Sequence, residues 1–400
     1  MNKDLSKDFY RYVLPSMVSM LLSGFYSMVD GIFVGNAAGS QALAAINLVY
    51  PIQACMNATA FGLGVGGAVL MSKHMGSEEY DQADRAMGTT LSLLTIAGLG
   101  LMGFFWLTKD SIIHLLGATG EIAQYANEYI SIIILCGIFP VLGNGVTPLI
   151  RNRGKTIEAT LFMSSGLVTN ILLDYVFVFR LRMGLAGAAI ATVTAQMVVA
   201  CLALFYLIKT NREVFTLHNL AISAARLKTI LRIGISPFGQ TLIPSVIIVL
   251  TNWQCIRYGG ASAVATYAIL SYVLGSIIPL ISGVGDGLQP LFSYARGARD
   301  WHGLDHLRRK GLALAVGVAL VSGAACFALR YVLPEVFGAS AEAAAEGAAA
   351  MWTLTLACPF VAAARFTCSY FCAVCEPLAG GILAYGEPLA AQPLFLFTLP

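Results

Sequence analysis

Long apolar stretches, each of a length that crosses a bilayer and joined by short polar turns, decide what this chain can fold into. A helix needs about 20 apolar residues to cross the hydrocarbon core. On that measure the sequence divides into eleven spans, near 10–34, 43–72, 87–108, 122–149, 157–179, 184–208, 227–256, 263–295, 311–333, 346–373 and 378–400. In lipid the backbone must satisfy its own hydrogen bonds, so the expected fold class is an all-α polytopic membrane protein. Only 11% of the 400 residues are charged, against about 25% in an average soluble chain. The first span is too long for a cleavable signal, and its front end, MNKDLSKDFYR, mixes acids with bases.

The placement of the basic residues orients the spans. Of the 24 Lys and Arg, only Lys109, Arg180, Arg182, Arg257 and Arg330 fall on one side; Arg365 lies within the tenth span, and the rest lie on the other side. That asymmetry predicts a cytoplasmic N-terminus. A net charge of +3, without a long basic run, gives no footing for nucleic acid. The nine cysteines sit in apolar stretches and form no disulfide framework, and Cys372-x-x-Cys375 has no second Cys pair or nearby His to make a zinc or redox site. The five histidines scatter among the connections, so an integral-membrane enzyme is disfavoured. No cofactor is expected.

Two halves of the chain repeat. GLGVGGAVLMSKHMG, Gly62 to Gly76, matches GVGDGLQPLFSYARG, Gly283 to Gly297, at an offset of 221, and the same register pairs Leu116-Gly117-Ala118 with Phe337-Gly338-Ala339. Span one then corresponds to span seven, six helices on, which makes the repeat parallel: two pseudo-symmetric six-helix lobes related by an axis along the membrane normal. The expected division is 1–210 for the N-terminal lobe, 211–226 for a cytoplasmic linker and 227–400 for the C-terminal lobe, with a twelfth span expected beyond Pro400. The glycines of Gly62-xxx-Gly66 and Gly283-xxx-Gly287 suit close helix packing.

Ionisable groups deep in a span are expensive and are functional candidates by default. Asp30 lies near the far end of the first span and Asp174 in the fifth. Asn170 precedes Asp174 by one helical turn and shares its face. An amide beside a carboxylate can hold a protonated acid or join it around a small hard cation such as sodium. Aligning Pro15 with Pro237 shifts the offset to 222 and sets Asp30 on Asn252, so the second lobe is less acidic. Asp286, with Gln289 within a turn, replaces what is Val65 in the first lobe. Asn252, Asp286 and Gln289 are therefore candidates for the substrate cavity. Asn57-Ala58-Thr59 matches a glycosylation acceptor but is inaccessible inside a span.

Taken in order, several segments resemble the multidrug and toxic compound extrusion (MATE) transporters, in the bacterial DinF-like branch. They are Pro15 and MVDGIFVG around Asp30, ALAA at 42–45, RNRGK at 151–155, NILLDYVFVF at 170–179, GLAGAAIAT at 184–192 and GDGLQPLFSYARGA at 285–298. The resemblance implies twelve helices around a central cavity and export of organic cations or amphipathic compounds, by alternating access, in exchange for protons or sodium ions. It further implies that Asp30, Asn170, Asp174 and Thr192 form the cation or proton pocket, joined by Tyr129 and Asn144, and that Pro15 supplies a helix bend. The implied partners are the lipid bilayer and a small amphipathic or cationic substrate, with the transporter monomeric. RNRGK departs from the family pattern at Asn152 and Arg153, as does its segment at Asp286. A lipid-linked oligosaccharide flippase of related plan is the alternative; its pyrophosphate cargo calls for cavity arginines or lysines, and Arg365 is the one basic residue read within a span.

Overall fold

A computed structural model describes residues 5–117, 120–333 and 341–398; the side chains of 5–7, 24–44, 341–343 and scattered positions between 249 and 276 lie outside the description. Among the described residues the first lobe comprises α1 (Leu5–Gly76), α2 (Tyr80–Leu115), α3 (Gly120–Leu135), α4 (Ile138–Asn152), α5 (Thr156–Asp174), a π-helical turn (Tyr175–Arg180) and α6 (Gly184–Thr210). After the short α7 (Leu217–Leu220) come α8 (Ala224–Gly297), α9 (Trp301–Ala328), α10 (Ala341–Ala373), α11 (Pro377–Gly381), a π-helical stretch (Ile382–Ala391) and α12 (Gln392–Thr398).

Seven described helices are long and apolar enough to cross a membrane, or eight when α3 and α4, bent by 55° at their junction, count as one span. That bend divides the span expected at 122–149 and puts Tyr129 and Asn144 on separate pieces. The eleventh expected span is helical without interruption over 377–398, with a π-helical stretch at Ile382–Ala391.

α1 is 72 residues long, which as a straight rod would measure about 108 Å against a hydrocarbon core of about 30 Å. Its packing shows that it doubles back. A Cβ on Gly287 would stand 2.8 Å from the Val13 Cα, while Gly297 lies against the backbone of Lys73. Gly287 and Gly297 are separated by only about 15 Å of helix, so both ends of α1 lie at one membrane level. α8, 74 residues long, returns in the same way: Gly66 meets Ile230 near its start, and Lys73 meets Gly297 at its end. Each thus supplies two antiparallel arms.

The contacts between α1 and α8 obey the sequence repeat. Gly62 packs on Phe238 and Gly283 on Met17; Gly66 packs on Gly234 and Gly287 on Val13; Gly76 packs on Tyr294 and Gly297 on Lys73. In every case the second pair is the first with its members exchanged between lobes at an offset of 221, which is the signature of a two-fold relation. Backbone conformation repeats with it: Glu78 (φ 62°) matches Arg299 (φ 57°), and Gly154 (φ 85°) matches Cys375 (φ 60°). The start of each long helix also packs in the other lobe's core. Phe9, Tyr12 and Val13 sit with Val284, Leu288 and Phe292, and Ile230 and Ile233 with the core of α2, α3 and α4.

One sequence expectation is corrected here. The offset of 222 set by aligning Pro15 with Pro237 does not hold, because Val13 and Met17 contact α8 where Gly234 and Phe238 contact α1. A one-residue shift would turn each helix by about 100° and aim these close-packed positions elsewhere. Pro15 corresponds to Ser236, and continuing that register sets Asp30 on Thr251 rather than Asn252.

The basic residues expected on one side gather at one end. Arg153 pairs with Asp84, Lys310 lies 4.3 Å over the Phe9 ring, and Ser77 donates to the Gly297 carbonyl at 3.0 Å. We refer to this as the basic end. The segment joining the lobes is tied to α2 there, with the Thr89 hydroxyl on the Ala221 carbonyl (3.1 Å) and Ser92 on Leu220 (2.8 Å).

Candidate functional site

The first arm of α1 runs parallel to α5. The Thr160 hydroxyl donates to the Pro15 carbonyl at 3.2 Å, and one turn further Ser19 donates to the Met163 sulfur at 3.4 Å. Thr160, Met163, Asn170 and Asp174 recur at steps of three, seven and four residues and so lie along one stripe of α5. Pro15 lies inside α1.

Asn170 and Asp174 are both 1% exposed, and Thr192 on the neighbouring α6 is buried beside them. The Asn170 amide chooses between two orientations. In the one that satisfies both its ends, Nδ2 donates to Asp174 Oδ2 at 2.8 Å and Oδ1 accepts from the Thr192 backbone N–H at 3.2 Å. In the other, Nδ2 donates to Thr192 Oγ1 at 3.5 Å. Either way Asn170 is the bridge from α5 to α6. α5 ends at Asp174 and the π-helical turn begins at the next residue; such turns recur at functional sites because they re-aim side chains within a continuous span.

The remaining expected members are placed differently. Tyr129 is 3% exposed and packs in the first-lobe core. Asn144 donates to Asn57 Oδ1 at 3.1 Å, joining α4 to the second arm of α1. Asn57 was read from the sequence only as a blocked glycosylation acceptor; the signal available was an amide midway along an apolar span. The side chains of Asp30 and Asn252 lie outside the described residues. Gln289 is 3% exposed, and Asp286 stands between Gly285, packed on Ser369 of α10, and Gly287, packed on α1. Both are therefore at the seam where α8 crosses α1. Arg151, beyond the expected span end at residue 149, is in the last turn of α4 and 5% exposed.

In the second lobe a pocket of about 410 Å³ is lined by Ile247, Thr251, Gln392, Pro393, Phe395 and Leu396. Thr251 stands at the offset of 221 from Asp30. The Gln254 amide donates to the Leu396 carbonyl at 2.8 Å beside it.

A model of the MatE family matches residues 15–176 and 238–377, a stretch of each lobe. The chain belongs to the MatE family. Among its relatives is the multidrug export protein MepA of Staphylococcus haemolyticus, 27% identical over 289 residues, which are 72% of this chain and 64% of that protein's length. Among solved structures, a MATE in complex with MaL6 superposes with a TM-score of 0.92 at 25% identity, covering 100% of this chain and 92% of that one. An outward-facing multidrug resistance MATE family transporter of the MOP superfamily gives 0.92 at 26% identity, covering 98% and 87%. This MatE chain is thus a multi-pass helical membrane protein with the two-lobe fold.

Proposed function

We propose that this protein exports organic cations or amphipathic drugs across the bacterial cytoplasmic membrane in exchange for a proton or a sodium ion, by alternating access of its two lobes. The observation that carries the reading is the buried carboxylate of Asp174, bonded by Asn170 and bordered by Thr192. A lone carboxylate is costly inside a bilayer, and oxygen-bearing neighbours turn that cost into affinity for a proton or a small hard cation.

Two observations support adding Asp30 to this site. Ser19 meets Met163 in the parallel pairing of α1 and α5, and Asp30 follows Ser19 by the same number of residues as Asp174 follows Met163. Thr251, at the offset of 221 from Asp30, lines the second-lobe pocket. In this reading the N-terminus and the basic end are cytoplasmic, and the tight seam of Gly76 and Gly297 is the closed cytoplasmic side. Ion binding at Asp30 and Asp174 then favours one packing of the first arm of α1, and cargo favours the other; coupling needs only that differential affinity.

The test is transport of a fluorescent organic cation into inside-out vesicles under an imposed proton or sodium gradient. Asp174→Asn, nearly isosteric, should reach the membrane in normal amount and lose gradient-driven accumulation by about tenfold or more. Undiminished accumulation would sink the assignment, and the gradient that drives the wild type names the coupling ion.

A further inference from the structure

Arg151 ends α4 in the first lobe and Asp286 lies on α8 in the second. Between them passes the first arm of α1 at Tyr12 and Val13. The Tyr12 hydroxyl stands 3.0 Å from where a side chain on Gly154 would begin, just beyond Arg151, and the Tyr12 carbonyl stands 2.9 Å from the same point on Gly287, just beyond Asp286. The two charges therefore flank one crossing point of the lobes, with Asp286 immediately before Gly287 on α8. Each lies in the other's field. Among the described residues they do not close to an ion pair of 4.0 Å or less, and the Arg151 Nε has no hydrogen-bond partner within the protein. Ser16 Oγ and Gln289 Nε2, buried in the same seam, have none either.

The repeat shows that this is a single device. Arg151 corresponds to Cys372 and Asp286 to Val65, so the symmetry-related crossing carries no charge. Cys372 is spent on the Ile233 carbonyl at 3.7 Å.

We propose that Arg151 and Asp286 form a charge-matched gate at the basic end: the lobes close there only when both charges are present or both are absent. Burying one charge alone is heavily penalised, whereas a compensated pair, or a neutral pair of like volume, is not. Separating the lobes hydrates both groups, so a mismatch drives the basic end open. The inference rests on the alternating-access reading and adds the group that sets which end is shut.

Hydrogen–deuterium exchange of the purified protein tests it, read at residues 62–76 and 283–297. Asp286→Asn and Arg151→Gln should each speed exchange of both segments by about tenfold, and the double variant should return within about twofold of the wild type, a strongly non-additive cycle. Additive effects, or unchanged exchange in both single variants, would overturn the gate. Should a single variant not accumulate as folded protein, recovery of folded protein in the double variant carries the same non-additivity, and failure to recover it overturns the proposal. Asp174 lies in neither segment, so loss of the ion-site assignment in vesicles leaves this exchange pattern standing, and additive exchange leaves the ion site standing.

Discussion

Gly76 and Gly297 hold equivalent places in the two lobes, and each closes on the other's helix, Gly76 on the backbone of Tyr294 and Gly297 on that of Lys73. Contacts this close admit no side chain. They make the basic end of the protein a backbone-to-backbone seam, reinforced by Ser72 donating to the Pro290 carbonyl at 3.0 Å.

Gly297→Ala should therefore destabilise the closed seam by about 1–3 kcal/mol, the usual cost of overpacking a filled interface. Gly100 has nothing within 4 Å of where a Cβ would stand, so Gly100→Ala in the same kind of helix should leave thermal unfolding in detergent unchanged or slightly raise it. Equal melting of the two variants would contradict the seam.

The Asn57 and Asn144 pair joins the two helical pieces that frame the first-lobe core. Asn144→Leu removes the donor and leaves Asn57 facing an apolar group, at a cost of about 1–3 kcal/mol. Adding Asn57→Leu should recover much of that cost, and a double-mutant cycle on thermal unfolding reads the coupling. Additive losses would show that the two amides act separately.

Span lengths, the two lobes and the register of 221 were legible because lipid forces long apolar runs and because Gly62, Gly66 and Gly76 recur where backbones must touch. The pairing of Asn170, Asp174 and Thr192 was legible in part: helical spacing put the first two on one face, while Thr192 entered through the family resemblance. What the sequence hid were relations across helices. Nothing local says that Asn144 turns to Asn57, or that Arg151 belongs to the end of a helix, since its neighbours Asn152, Arg153 and Gly154 read as a loop. Proline was a poor guide to register, because it bends a helix without fixing which face meets a neighbour, whereas the glycines fix that face.

Arg153 of the segment RNRGK pairs with Asp84 at the start of α2, both side chains about one-fifth exposed. The departure from the family pattern at this position thus ties two connections of the first lobe together. Arg153→Ala should cost up to about 1 kcal/mol at low salt, in the range of a partly exposed pair. The difference from wild type should shrink as ionic strength rises to about 1 M, where the screening length falls to about 3 Å. A salt-independent loss would assign the effect to packing of the arginine stem.

Cys375 lies just past α10 at the basic end, in the left-handed conformation that its partner Gly154 also adopts. Burial pushes its thiol above the ordinary value, while Lys73 and Arg296 pull it down by less and Glu376 adds to the rise. Because the thiolate is the nucleophile, maleimide labelling of Cys375 at neutral pH should lag that of the denatured chain, and should gain on it only as pH climbs past the ordinary thiol range. Arg296→Gln should slow labelling further. It removes one of the two cations that favour the thiolate, and it frees the Glu376 carboxylate, now 3.6 Å from the guanidinium, whose field acts in the same direction as burial. Labelling of native Cys375 at neutral pH as fast as in the denatured chain, or faster labelling in Arg296→Gln, would contradict this electrostatic account.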